Sequence, residues 1–101
     1  MPRSRPYRDS LLEALRDPQE AAAYLDAALE AGDREAFLLA LRHVAEAQLG
    51  SMSRLAERTG LSRESLYRTL SGAGNPELMS LTKLLQAVGL RLAVEVDTST
   101  A

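Results

Sequence analysis

Apolar residues return every three or four positions along most of this chain and switch to every second position only near its end. The strongest helical stripe is Phe37, Ala40, Leu41 and Val44, with Gln48 one turn further, in the run R-E-A-F-L-L-A-L-R-H-V-A-E-A-Q-L. Ahead of it, Asp17-Pro18-Gln19-Glu20 has the signature of a helix start. Asp17 suits the cap and accepts from the N3 amide, Pro18 suits the first position, and Glu20 is placed to reach back and complete a capping box. That helix turns Ala21, Tyr24 or Leu25, Ala28 and Leu29 inward and stops at Gly32, while Asp33 caps the next helix at once. So short a link predicts an antiparallel hairpin. Upstream, Ser10 to Arg16 predicts a short helical turn with Leu11, Leu12 and Leu15 on one side, which must dock to be stable. Downstream, Glu77 to Val88 predicts a helix with Leu78, Leu81, Leu84, Leu85 and Val88 inward, ended by Gly89. In L-R-L-A-V-E-V (residues 90–96) the period becomes two, with Leu90, Leu92, Val94 and Val96 on one face. This predicts a C-terminal β-strand. With no sheet in its own chain, it would pair with the same strand of a second copy or with a strand of a partner; the alternative is an extended segment lying along its own domain.

Between the hairpin and the last helix lies S-M-S-R-L-A-E-R-T-G-L-S-R-E-S-L-Y-R-T-L-S-G, residues 51–72. Two short amphipathic helices fit here, joined through Thr59-Gly60-Leu61. Leu55 and Ala56 form the inner face of the first, the small Ala56 permitting close crossing. Gly60 supplies the positive φ at which the chain leaves the helix. Leu61 plugs the corner, Ser62 caps the second helix, and Leu66, Thr69 and Leu70 turn inward. This is the pattern of a helix-turn-helix, which places one exposed helix in the major groove. Arg63, Glu64, Tyr67 and Arg68 fall on the outer side, as groove reading requires. The alternative is a short helical hairpin whose solvated face carries an ordinary Glu64–Arg68 pair.

Charge divides unevenly. The chain of 101 residues has a net charge of −2, but residues 51–75 hold four arginines against two acids. Residues 9–50 hold nine acids against three arginines, and Arg3, Arg5 and Arg8 make the first eight residues basic. A local basic patch suffices for phosphate contact, since only the docking face must be positive. Residues 1–9, with Pro2 and Pro6, read as a flexible basic arm, either disordered or reaching a groove or phosphate. With no cysteine and a single histidine, a metal site has no donor set; His43 reads as a helix-surface or boundary residue, Tyr24 and Phe37 as core anchors. Gly72 and Gly74 do not make a phosphate-binding loop, because no strand precedes them and no Lys-Ser/Thr pair follows. No apolar run approaches the roughly 18 residues of a membrane span, so the expectation is a cytoplasmic protein without membrane contact. Nor does the chain present the features of an enzyme. Its carboxylates at Asp17, Glu20, Asp33 and Glu35 are explained by helix N-termini.

D-P-Q-E-A-A-A-Y-L-D-A-A-L-E-A-G-D (residues 17–33), S-R-L-A-E-R-T-G-L-S-R-E-S-L-Y (residues 53–67) and N-P-E-L…L-L-Q-A-V-G-L-R-L (within residues 75–92) together resemble the HigA-like addiction-module antidote proteins. The likeness spans residues 9–96, and the wider group is the phage lambda repressor-like fold. It implies a mainly α, five-helix lambda repressor-like helix-turn-helix domain over residues 10–96, with an N-terminal helical extension, a C-terminal β-strand at 90–96 and a frayed tail at 97–101. It further implies an antitoxin that needs no cofactor, binds operator DNA as a homodimer through its C-terminal strand, represses its own operon and neutralises a RelE/ParE-like toxin. Carried over by position, Arg63, Glu64, Tyr67 and Arg68 face bases or phosphates, Ser62 caps the recognition helix, and Ser53 and Arg54 touch backbone phosphate. Two positions depart from the group. Met52 stands where many members have a phosphate-positioning glutamine, and Thr69 stands where a larger apolar residue is common, which leaves Leu70 to take over its packing. Two other functions fit the same residues: a stand-alone transcriptional regulator, and a protein-interaction module without DNA binding.

Overall fold

A computed structural model describes residues 4–71 and 75–98. Gly72 and Gly74, residues 1–3 of the expected arm and residues 99–101 of the expected tail lie outside them. Six α-helices follow one another: α1 (Ser4–Ala14), α2 (Pro18–Glu30), α3 (Arg34–Leu49), α4 (Met52–Thr59), α5 (Arg63–Thr69) and α6 (Leu78–Ala87). Among the described residues none is long and apolar enough to cross a membrane.

Helix α3 is the centre of the packing. It lies against α1, α2 and α4, and α4 in turn lies against α5 and α6. Because three helices cover α3, its buried face is broader than the expected stripe: Leu38 and Ala45 join Phe37, Ala40, Leu41 and Val44. Asp33 caps α3 by accepting from the Ala36 amide at 3.2 Å, and Asp17 caps α2 through the Gln19 amide at 2.9 Å. The Asp17 amide donates to the Ala14 carbonyl, so α2 has a simple cap and not the expected capping box. Core positions of the other helices are Ala21 and Leu25 of α2, Met52 and Leu55 of α4, Leu66 of α5, and Leu84, Leu85 and Ala87 of α6. Leu29 and Leu78 are not among them; they are 52% and 66% exposed, in the last turn of α2 and the first turn of α6.

The helix count is six, where five were expected. The sixth is α1, expected only as a short helical turn from Ser10 and here a helix of eleven residues that starts at Ser4. Three attachments hold α1 to α3. Leu11 and Leu15 reach the core, Arg8 pairs with Glu46, and the Gln48 amide donates to the carbonyls of Leu15 at 2.8 Å and Arg16 at 2.9 Å.

The expected C-terminal β-strand is also corrected: the described residues contain no strand. Helix α6 ends in paired reverse bonds, from Gly89 (φ 81°) to the Gln86 carbonyl and from Leu90 to the Leu85 carbonyl at 2.8 Å. The chain then runs on without a ladder. A strand exists only through hydrogen bonds to a second extended segment, and every other element here is a helix. Alternation therefore produced no buried face: Val94 is 99% and Val96 87% exposed, and only Leu90 packs on the core.

Candidate nucleic-acid interface

Helices α4 and α5 are short, and local chemistry defines both ends of each. The Ser51 hydroxyl accepts from the Arg54 amide at 3.3 Å to start α4. Thr59 then closes it: its hydroxyl donates to the Leu55 carbonyl at 2.8 Å and accepts from the Leu61 amide at 3.3 Å. Gly60 turns the chain at φ 76°, its amide donating to the Ala56 carbonyl. Ser62, extended at φ −73° and ψ 154°, starts α5 by accepting from the Ser65 amide at 3.0 Å. The Ser71 hydroxyl donates to the Arg68 carbonyl at 2.8 Å just beyond the far end. Leu66 and Leu70 are fully buried, Thr69 is half-buried, and Leu61 packs against the core at the corner. Leu70 does take the anchoring position beside Thr69.

All seven site residues expected from the sequence lie at the surface. Ser53 and Arg54 occupy the first turn of α4, Ser62, Arg63 and Glu64 the start of α5, and Tyr67 and Arg68 its last turn. The pairs Arg63/Tyr67 and Glu64/Arg68 are each four residues apart and form two adjacent rows, Glu64/Arg68 opposite Leu66 and Leu70 and Arg63/Tyr67 at the flank, all four exposed. Glu64 near the positive end of α5 and Arg68 near its negative end both suit the helix dipole. All seven side chains are exposed, although the Ser62 hydroxyl is engaged in its cap. Met52, the position at which the resemblance led to a glutamine being expected, is buried in the core.

Two contacts around this surface were not read from the sequence. The Arg42 guanidinium of α3 lies over the Tyr67 ring, 5.9 Å from its centroid. On the next residue, the Nδ1 of half-buried His43 meets the Tyr24 hydroxyl at 3.0 Å. Burial lowers the His43 pKa; Glu46 opposes this, and Arg8 and Arg42 reinforce it. Burial also raises the Tyr24 pKa, with Tyr7 adding to it. Both shifts favour neutral partners, so in the Nε2–H tautomer the Tyr24 hydroxyl donates to Nδ1. Among the described residues no cluster of His, Asp or Glu could hold a metal ion.

A family model described as "Probable addiction module antidote protein" matches residues 8–96. An uncharacterized protein of Haemophilus influenzae is 37% identical over 83 residues, covering 82% of this chain and 84% of that one. No solved structure matches the chain.

Proposed function

The chain belongs to the addiction module antidote family, and from that membership we propose that it is an antitoxin that binds the operator of its own operon through α4 and α5, as two copies, and neutralises a co-encoded basic toxin of the RelE/ParE kind. One observation carries the DNA half of this reading. A helix of seven residues, capped at both ends and anchored by Leu66, exposes Arg63, Glu64, Tyr67 and Arg68, and the helix before it, α4, exposes Ser53 and Arg54. Arginines on such a face suit guanine edges or phosphates, with serine hydroxyls and helix-start amides as further phosphate donors. Two copies would read half-sites about 34 Å apart, one helical turn of DNA.

The toxin half is supported by charge and shape. Helix α2 exposes Asp26 and Glu30 beside Ala22, Ala23 and Ala27. Next to it lies an apolar groove of about 330 Å³ lined by Leu25, Leu29, Phe37, Leu85, Leu90 and Leu92, with Asp26, Glu95 and one cation, Arg91, also on its wall. An apolar floor beside acidic groups suits a basic, amphipathic segment of a partner.

A pull-down of the tagged full chain from its native host, identifying both protein and DNA, tests the proposal. The expected result is a small basic protein encoded beside it together with DNA from upstream of its own gene. DNA without such a protein would leave a stand-alone regulator. A protein without DNA would remove the role given to α5.

A further inference from the structure

We infer that Arg42, on α3 and outside the α4–α5 pair, is a positioning residue for DNA recognition: it holds the Tyr67 ring in place on the outer face of α5. This rests on the reading of α5 as the DNA-facing helix and adds a residue from another element to it. Tyr67 is 43% exposed near the end of a seven-residue helix whose inward anchors, Leu66 and Leu70, do not touch the outer side. A ring so placed is free to turn about its two side-chain torsions unless something covers a face. The Arg42 guanidinium does so at 5.9 Å, within the range of a cation over an aromatic ring.

The surroundings of Arg42 leave it available for this. Glu46, one turn further along α3, is engaged by Arg8, and His43 turns toward Tyr24 on α2. Arg42 is half-buried on the helix that forms the centre of the packing, so its stem is held while its planar head meets the ring. With one face covered, Tyr67 offers its other face, its edge and its hydroxyl in a single orientation. A pre-set orientation favours the DNA sequence that matches it and does little for others.

The test measures binding of the full chain to two duplexes of equal length, one from upstream of its own gene and one scrambled, over a salt series. Arg42→Gln should lower the preference for the upstream duplex about two- to fivefold. The same loss is expected in a Tyr67→Phe background, which keeps the ring, and no loss in a Tyr67→Ala background. Thermal unfolding of each variant shows whether it is folded; Arg42→Met, which keeps an unbranched apolar stem but carries no charge, replaces the glutamine variant if that one melts early and should follow the same order. An equal loss in the Tyr67→Ala background, with the salt slope reduced by about one, would mean that Arg42 meets a phosphate on its own account and would overturn the inference. No loss in any background would overturn it as well. Wild-type protein that does not distinguish the two duplexes would overturn the underlying reading of α5, an outcome separate from either of these.

Discussion

His43 is the one histidine of the chain, the residue type whose ordinary pKa lies closest to physiological pH, and its ring meets Tyr24 of the neighbouring helix. Burial holds its pKa below the ordinary value of 6.5, so the folded protein prefers neutral imidazole. On acidification the unfolded chain takes up its proton first. Stability from this residue is therefore full above that value and is lost as pH falls through it, until the folded imidazole is protonated too. Denaturant unfolding at about pH 7.5 and about pH 5.5 should show a larger loss for the wild type than for His43→Gln; equal losses would mean that the Tyr24–His43 contact has no part in it. The exposed arginines of α5 act at the same scale on binding and not on folding. Arg63→Ala and Arg68→Ala should each weaken binding to the upstream duplex by about 1–3 kcal/mol where the side chain reads a base, with unfolding unchanged. Retention of full affinity by both variants would remove these residues from the interface.

At the scale of elements, most boundaries could be read from single residues. Asp17, Asp33 and Ser62 cap helices, and Gly32, Gly60 and Gly89 end them, because a cap or a left-handed turn depends on one residue's chemistry. Where an element depends on a distant partner, local pattern was not enough. Helix α1 has eleven residues, below the length at which a helix persists alone, and its attachments come from α3. Gln48 carried a legible hint: a polar group in line with Phe37, Leu41 and Val44 needs a partner when it turns inward. Replacing it tests the attachment. Gln48→Ala, and Gln48→Glu with acceptor atoms only, should each cost about 1–3 kcal/mol in denaturant unfolding, since the Leu15 and Arg16 carbonyls lose their donor. No change in either variant would mean that α1 is held by its leucines and by Arg8 alone. Arg42 had no such hint: on a helical wheel it is an ordinary solvated cation, and only the packing of α3 brings it over Tyr67.

For the molecule as a whole, the core belongs to the helices, and residues 91–98 stand outside it. Their alternation looked like a buried strand because period two reports which residues share a face but not whether anything covers it. A truncation ending at Leu90, which keeps the bonds closing α6, should stay folded, with unfolding free energy within about 1 kcal/mol of the full chain. A loss of several kcal/mol would show that the tail supports the helices. The exposure of Ser53, Arg54, Ser62, Arg63, Glu64, Tyr67 and Arg68 was legible because helical period separates covered from uncovered positions in so short a pair. The tie between Gln48 and the end of α1 bears on how the chain is made. Translation delivers α1 before α3, yet the donor that satisfies the two carbonyls just beyond its end is added 32 and 33 positions after them. A ribosome halted before α3 has emerged would thus hold α1 as an unfinished, exposed segment, and its completion would mark the moment when the hairpin behind it closes.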